Sequence, residues 1–276
     1  MDRLSALMEH FSLHASAFHL GDFCGTSEFS GKEQRGYVHL LRSGRITFGE
    51  GNGRPIVVDE PSLILLARPQ THRLAASEAD EAELVCATLN FDGGVDNPLS
   101  QALPSHVVLP LRALPSLSDN LDWLFREAFG HECGRDAILN RLIELMLIQL
   151  FRQLMNDGAI STGMMAGLAD LRLARAMTLM HDQPARPWSV AELASAASMS
   201  RASFSARFHK VVGSTPANYL AGWRVSLAQK RLREGRPIAL IADEVGYESP
   251  SALARAFRRK VGASPREWAQ HMGATL

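Results

Sequence analysis

Two stretches of sequence, SRASFSARFHKVVGSTPANYL at residues 200–220 and SPSALARAFRRKVGASPREWA at residues 249–269, decide the fold of the C-terminal third of the chain. They repeat one pattern, because six positions correspond at a constant offset of 49 residues. The matched positions are Ser200, Phe204, Phe208, Gly213, Pro216 and Tyr219 in the first stretch and Ser249, Leu253, Phe257, Gly262, Pro265 and Trp268 in the second. The repetition predicts the same local structure twice.

Each stretch predicts a serine-capped helix that is followed at once by a second helix. A serine hydroxyl accepts hydrogen bonds from the free N–H groups of a first helical turn, which suits Ser200 and Ser249 to the N-cap position. Apolar residues four positions apart lie on one helix face and pack inward. Glycine then closes the helix in the left-handed conformation, and proline opens the next element.

A shorter helix is predicted before each serine, at residues 191–197 and 238–245. A short helix, a tight turn and a longer helix with a basic outer face form a helix-turn-helix unit, whose second helix enters the major groove of DNA. A helix predicted over residues 217–233 holds the two units at a fixed spacing. The outer faces carry Arg201, Ser205, His209 and Lys210 in the first unit and Ser251, Arg255, Arg258 and Arg259 in the second.

These residues resemble the AraC/XylS family of transcription regulators over about residues 171–270, above all in IADEVGYESPSALARAFRRKVGASPREW. The resemblance implies binding to double-stranded promoter DNA, usually for activation through contact with RNA polymerase. Carried over position by position, it implies base contacts from Ala202, Ser205 and Ala206 in the first unit and from Ser251, Ala254 and Arg255 in the second.

The first unit departs from family members that have long polar side chains at its base-reading positions. The small residues there imply mostly phosphate contacts, through Ser200, Arg201 and Lys210, with thymine-methyl contacts from the alanines. Arg255 is the leading candidate for direct readout, since a bidentate contact to guanine is worth about 1–3 kcal/mol of discrimination. A solvated surface arginine is the alternative interpretation of Arg255.

The charge distribution agrees with a DNA-binding C-terminal part. Residues 170–276 contain 16 Lys and Arg against 8 Asp and Glu, although the whole chain has 29 of each class. Clustered basic residues neutralise phosphates, but a basic surface alone is equally consistent with simple solvation. Because no apolar run reaches the ~20 residues of a membrane span and the start lacks a secretion signal, we expect a cytoplasmic protein without membrane contact.

Residues 37–111 predict a small β-sandwich or β-barrel. Short apolar and β-branched runs, among them YVHLL, RITFGE, IVVDEP, SLILLARP and ELVCATLNF, alternate with Gly, Asn, Asp and Pro. The apolar period then becomes helical, over residues 118–129 and 135–155. The second helix is apolar on more than one face, so we expect it to pack against its own domain and against something else.

The front part resembles the cupin-type sensor domain of many such regulators over about residues 18–114, in YVHLLRSG, LILLARPQTHRL and ELVCATLNFDGG. The resemblance implies that helices at 119–155 supply the contact of a homodimer. The predicted fold class is therefore α+β, with a cupin-like sensor domain at 1–114, a helical dimerisation segment at 115–157, a linker at 158–169 and an all-α double helix-turn-helix domain at 170–276.

His39, His72 and Cys86 come from three predicted strands and are candidate ligands for a zinc-like divalent metal inside the barrel. Cupin barrels often place such residues on the inner wall. The full cupin metal signature, an HxH pair with a glutamate, is absent from the sequence. Hydrogen-bonded structural histidines are therefore the alternative, and no other cofactor is predicted.

Cys24 and Cys86 offer a different sensing chemistry. Their segments, DFCGTS and LVCATL, resemble the two cysteines of regulators in this family that respond to reactive chlorine and related oxidants. The resemblance implies an accessible, partly ionised thiol, whose sulfenic acid a second cysteine converts to a disulfide. Buried inert thiols are the alternative for Cys86, and Cys133 is not expected to take part.

Two further functions stay open at this point. The barrel of such a regulator can instead bind a small metabolite, in which case replacing Cys24 and Cys86 by serine leaves the response intact. Cupin barrels also house isomerases and dioxygenases, but the sequence has no paired carboxylates, GxSxG elbow or phosphate-binding glycine loop. We therefore expect a regulator without catalytic residues and not an enzyme.

Overall fold

The computed structural model describes residues 2–51, 53–92, 97–158 and 161–271. The chain divides into two compact units. One is Ser12–Asp157, and the other combines Gly158–Leu276 with the N-terminal segment Met1–Phe11. Among the described residues, no helix is both long enough and apolar enough to cross a membrane.

The first unit is built on antiparallel strands. Those in its described residues are β1 (Leu13–Phe23), β2 (Gly25–Phe29), β3 (Gly36–Ser43), β4 (Ile46–Glu50), β5 (Ile56–Val58), β6 (Ser62–Leu66), β7 (His72–Ala76), β8 (Ala82–Phe91) and β9 (Val107–Pro110). They form one sheet in the order β1-β8-β3-β6-β9 and a second in the order β2-β7-β4-β5. The predicted sandwich or barrel of strands is confirmed.

The core of this unit lies between the two sheets. Leu41, Ile64 and Leu84 from the first sheet pack with Phe48 and Leu74 from the second, and all five are at most 1% exposed. Burial of side chains of this size supplies about 1.5–3 kcal/mol each. Strands β3, β6 and β8 are buried along most of their length, so both faces of the first sheet are largely covered.

Two longer helices follow the strands, after the short α2 (Pro98–Gln101). They are α3 (Ser118–Ala128) and α4 (Arg135–Asn156), which confirms the helices predicted there. Helix α4 covers the edge strand β1, because Asn140 Oδ1 accepts a hydrogen bond from the Ala17 N–H at 2.9 Å and Glu144 Oε1 accepts one from the Ala15 N–H at 3.1 Å. Side chains of the helix thus satisfy donors that an edge strand otherwise leaves open.

The second unit is helical throughout its described residues. Its helices are α1 (Ser5–His10), α5 (Met164–Ala169), α6 (Leu171–Asp182), α7 (Val190–Ala196), α8 (Arg201–Val212), α9 (Pro216–Arg233), α10 (Ile238–Glu244), α11 (Pro250–Val261) and α12 (Pro265–His271). The helices predicted at residues 191–197, 217–233 and 238–245, and the two serine-capped helices, are confirmed.

The domain boundaries differ from the prediction in two places. Part of the segment 158–169, predicted as a linker, is helix α5, which is buried because Met165 and Leu168 are at most 1% exposed. The first eleven residues, predicted as part of the sensor domain, belong to the helical unit: Leu7 is fully buried, and Lys230 Nζ donates to the carbonyl oxygen of His10 at 2.6 Å. Local sequence patterns do not show which distant surface a short apolar helix covers.

Some predicted segments lie partly outside the described residues. These are positions 1, 52 and 93–96 of the predicted sensor domain, which include the two glycines that end ELVCATLNFDGG, positions 159–160 of the predicted linker and positions 272–276 of the predicted DNA-binding domain.

Candidate functional site

The first helix-turn-helix unit consists of α7, a turn and α8. Ser200 caps α8, since its hydroxyl oxygen accepts a hydrogen bond from the Ser203 N–H at 3.2 Å. Phe204 and Phe208 are fully buried with ring centroids 5.5 Å apart, so they fix the inward face of the helix. Gly213 ends the helix with φ +79°, the left-handed conformation that the sequence predicted.

The second unit repeats this construction in α10, a turn and α11. Ser249 caps α11 by accepting from the Ala252 N–H at 3.2 Å, and Gly262 ends it with φ +85°. Leu253 and Phe257 are fully buried, and the Phe257 ring meets the Trp268 ring edge to face at 5.8 Å. Packing therefore turns the opposite face of each helix outward.

The outward faces carry the predicted DNA-contacting residues. Those that are exposed are Arg201, Ala202, Ala206, His209 and Lys210 on α8 and Ser251, Arg255, Arg258 and Arg259 on α11, while Ser205 and Ala254 are partly exposed. Ser200 and Ser249 accept the capping hydrogen bonds through their hydroxyl oxygens. A hydroxyl that accepts in this way can still donate its hydrogen to another group.

Three arginines surround a cavity on the second unit. The cavity has a volume of about 420 Å³ and is lined by Ala254, Arg255, Arg258, Arg259 and Ser264. The side chain of Arg255 forms no ion pair with the described residues, so its five N–H donors are available to an anion. A site of this charge suits the phosphate backbone of a nucleic acid.

A carboxylate that the sequence analysis did not single out, that of Glu267, partly neutralises the charge of these arginines. Glu267 accepts from the Ser264 N–H at 2.7 Å and pairs with Arg258 at 3.3 Å. Hydrogen bonds from the Ser264 hydroxyl and N–H, with that from Arg258, lower the pKa of Glu267 to about 2, so its carboxylate is charged at neutral pH. Ser264 and Glu267 have the spacing of a capping box, a local signal that identifies them.

The structure places His39, His72 and Cys86 on β3, β7 and β8, three strands as predicted. His72 Nδ1 lies 3.0 Å from the carbonyl oxygen of Gln70, and the Nε2 atoms of His39 and His72 lie 2.8 Å apart. Since Nδ1 of His72 donates to the carbonyl, His72 Nε2 accepts and His39 Nε2 donates. Burial lowers the pKa of both imidazoles, that of His39 well below its usual range, so both are neutral.

The structure does not bring His39, His72 and Cys86 together as a three-ligand metal site. In the part of the chain that the structure describes, no group of three or more His, Cys, Asp or Glu side chains is arranged to hold a metal ion. The Nε2 atoms of the two imidazoles are hydrogen-bonded to each other. Cys86 lies in the apolar core, where burial raises the pKa of its thiol to about 12 and keeps it protonated.

The two candidate redox cysteines are separated along the sheet. Cys24 is exposed and follows Phe23, which pairs with Ala82, whereas Cys86 lies buried four residues further along β8. Four strand residues span about 13 Å. A disulfide needs Cα atoms under about 7 Å apart, so the two cysteines are not placed to form one within this fold.

Cys24 borders a cavity of the strand-rich unit. The cavity measures about 580 Å³, and Asp22, Glu78, Glu81 and Glu83 line it together with Cys24. Cys133, the third cysteine, is also exposed. Solvent therefore reaches Cys24 and Cys133 but not Cys86.

Comparison with known proteins gives matches for both units. A family model described as Cupin matches residues 2–156, and one described as Helix-turn-helix domain matches residues 193–271. An AraC-like transcription regulator of Streptomyces antibioticus is 33% identical over 251 residues, which cover 80% of this chain and 82% of the relative.

Two further matches concern a regulator and a solved structure. The RCS-specific HTH-type transcriptional activator RclR of Escherichia coli (strain K12) is 26% identical over 238 residues, covering 85% of this chain and 84% of that protein. The DNA-binding domain of AdpA in complex with a target DNA is 32% identical with a TM-score of 0.34, and the match covers 36% of this chain and 89% of that one.

Proposed function

Because this chain belongs to the AraC-type transcription regulators, DNA-binding proteins that here carry an N-terminal cupin domain, we propose that it activates promoters in response to an oxidant. The family assignment rests on the cupin match and on the Streptomyces relative. The direction of regulation, the residues that read DNA and the effector are the parts proposed.

The observation that carries the DNA-reading proposal is the matched pair of serine-capped helices. Both α8 and α11 bury their apolar face and present an exposed face with basic residues. Two such helices on one chain suit two neighbouring major-groove segments of a duplex. The excess of Lys and Arg in the same part of the chain supplies the sequence-independent attraction to phosphates.

Within this proposal the residues divide by chemistry. Arg255 reads guanine through its forked donors, and Ala202 and Ala206 contact thymine methyl groups. Phosphates are held by Arg201, Lys210 and the Ser200 hydroxyl hydrogen on the first unit. The remaining proposed contact residues are Ser205, His209, Ser249, Ser251, Ala254, Arg258 and Arg259.

The test is the salt dependence of binding to promoter duplexes. Full-length protein is titrated onto labelled fragments from upstream of its own gene at increasing NaCl concentration. We expect log Kd to rise linearly with log salt, by about 0.9 for each phosphate contact. Absence of any salt-dependent association with every fragment overturns the proposal.

For the effector we propose that an oxidant such as hypochlorous acid acts first on Cys24. Its exposure and the name of the relative RclR support this, and the burial of Cys86 restricts the first step to Cys24. The thiol and hypochlorous acid give a sulfenic acid and hydrogen chloride, and a second thiol then gives a disulfide and water. Because Cys86 is buried and lies about 13 Å along β8 from the residue that pairs with Phe23, that second thiol comes from another molecule.

We also propose a homodimer, formed through the outer faces of α3 and α4. Trp123 and Leu145 on these helices are 48% and 44% exposed, so both side chains are accessible to a second copy of the chain. Sedimentation of a Trp123→Glu variant as a monomer, with the wild type as a dimer, is the expected result. Equal sedimentation coefficients contradict this interface.

The remaining partner is RNA polymerase, which an activator contacts at the promoter. Promoter binding also implies that the protein acts in the cytoplasm. The matched relatives are transcription regulators, which favours regulation over the catalysis that other cupin barrels perform.

A further inference from the structure

The guanidinium of Arg224, on α9, hydrogen-bonds to backbone carbonyls of two separate segments. Its Nε donates to the carbonyl oxygen of Pro184 at 2.7 Å and its Nη2 to that of Arg186 at 3.0 Å. On the other side, Nη1 donates to the carbonyl oxygen of Gly246 at 3.0 Å. A planar fork of rigidly directed donors can satisfy such fixed acceptors together, which a lysine ammonium on a flexible stem does less well.

The segment that carries Pro184 and Arg186 leads directly into the first helix-turn-helix unit. Trp188 Nε1 donates to the carbonyl oxygen of Gln183 at 3.1 Å, and the Arg186 guanidinium lies 4.0 Å from the Trp188 ring centroid. Ser189 then caps α7. Because the segment is held by its own contacts, fixing it also fixes the position of α7 and of the α8 helix that follows.

Gly246 lies in the turn between α10 and α11 of the second unit. Its φ is +82°, and a Cβ atom at this position lies 2.5 Å from the Cα of Ala185. Only glycine combines this conformation with so close an approach. The turn of the second unit therefore meets the entry of the first unit backbone to backbone, and Arg224 bonds to both sides of that contact.

A second arginine of α9, Arg231, contacts only the second helix-turn-helix unit through its ion pair with Glu244. Arg231 Nη2 pairs with Glu244 Oε1 at 2.7 Å, which joins the end of α9 to α10. Both partners are partly exposed, and this pair touches the second unit alone. Arg224, in contrast, bonds to both the entry of the first unit and the turn of the second.

We propose that Arg224 is the positioning residue that fixes the separation and rotation between α8 and α11, and thereby sets the half-site spacing that the protein accepts on DNA. Arg224 acts through the backbone segments on either side of α9 and not by reading bases. The inference rests on the proposed function, in which both helices read one duplex. It adds the residue on which their relative placement depends.

The test measures spacing preference. The probe is a duplex that the full-length wild type selects from a random-sequence library, together with versions carrying one or two extra base pairs between the half-sites. Each added pair rotates the second half-site by about 34°. Loss of matched contacts weakens wild-type binding roughly tenfold or more.

The informative variant is Arg224→Lys, which keeps the positive charge but loses the fork. We expect the variant to bind the selected duplex more weakly than the wild type does. We also expect the spacing ratio, which is the Kd for a lengthened duplex divided by the Kd for the selected one, to be lower than in the wild type by roughly threefold or more. Arg224→Met removes every hydrogen bond of the guanidinium and should lower the ratio further. Arg172→Lys, at an exposed position of α6, is the matched control and keeps the wild-type ratio.

The outcomes separate the two proposals. Partial unfolding lowers binding to every duplex by one factor and leaves the ratio unchanged, so an unchanged ratio in both Arg224 variants overturns the positioning role. A wild type that tolerates every spacing equally overturns it as well. If the wild type binds no duplex in a salt-dependent manner, the proposed DNA-reading function fails, and the inference fails with it.

Discussion

The Nε2 atoms of His39 and His72 lie 2.8 Å apart between the two sheets of the barrel, as a neutral donor and a neutral acceptor. His39 Nδ1 is buried and has no hydrogen-bond partner among the described residues. A proton added to either ring therefore places a charge in the barrel interior without solvent to stabilise it. The pair that sequence reasoning interpreted as metal ligands is a pH-sensitive hydrogen bond.

The first prediction concerns the stability of the barrel at acid pH. Because burial lowers the pKa of both histidines in the folded chain, their stabilising contribution is complete above pH 6.5, the usual histidine value. Below it the unfolded chain binds protons that the folded chain does not, and the free energy of unfolding falls by about 1.4 kcal/mol per pH unit for each such proton.

Calorimetry between pH 5 and pH 7 checks this, with His39→Gln expected to have a shallower pH slope than the wild type. His131→Gln, in an exposed loop, serves as the control and keeps the wild-type slope. Equal slopes in all three proteins contradict a role for the buried pair.

The second prediction is that Cys24 alone initiates the oxidant response. In cells that carry a reporter under the target promoter, Cys24→Ser should reduce induction by hypochlorite to the uninduced level. Cys133→Ser, which also removes an exposed thiol, should respond like the wild type, and so should Cys86→Ala because oxidant does not reach that buried sulfur. Full induction of Cys24→Ser would instead favour a bound metabolite as the signal.

The third prediction assigns base recognition to Arg255. Arg255→Ala should raise Kd for the selected duplex by about 5–150-fold, the equivalent of 1–3 kcal/mol, and should abolish discrimination at one guanine. Lys210→Ala should weaken binding to all sequences alike and lower the salt slope by about 1. Retained preference for that guanine in Arg255→Ala assigns the contact to another residue.

The fourth prediction concerns the N-terminal segment. Phe11 is 1% exposed, and its ring meets that of Trp223 on α9 at 5.2 Å. Phe11→Ala should lower the free energy of unfolding of the helical unit by about 3–5 kcal/mol, measured by urea titration with circular dichroism. Phe18→Ala, at a site 48% exposed, should cost far less. Similar losses in both variants argue against docking of the segment.

The C-terminal units could be predicted because their signals are local. A serine cap, apolar residues four apart and a closing glycine each act within one helix, so Ser249, Phe257 and Gly262 together specify α11 without distant contacts. The role of Arg224 could not be predicted in this way. Only the fold brings the carbonyls of Pro184 and Gly246 to one side chain.

The front unit shows where sequence patterns give little information. Strand β1, LHASAFHLGDF, contains no Val, Ile or Thr and was not among the predicted strands, since its pairing with β8 and its cover by α4 stabilise it. The distance between Cys24 and Cys86 depends on that same pairing register. The hydrogen bond between His39 and His72 was not predicted for a related reason, because strand membership does not determine which nitrogen of His39 meets which neighbour.

The placement of Met1–Phe11 has a consequence for which fragments of the chain contain the complete helical unit. The ring of Phe11 packs on Trp223 of α9, which follows the whole barrel in the sequence, so the core of the helical unit combines two stretches that the barrel separates along the chain. In covalent terms the barrel is an insertion within the helical unit and is attached at both of its ends. A fragment that begins after residue 157 consequently lacks part of its own interior, even though it contains every DNA-reading helix.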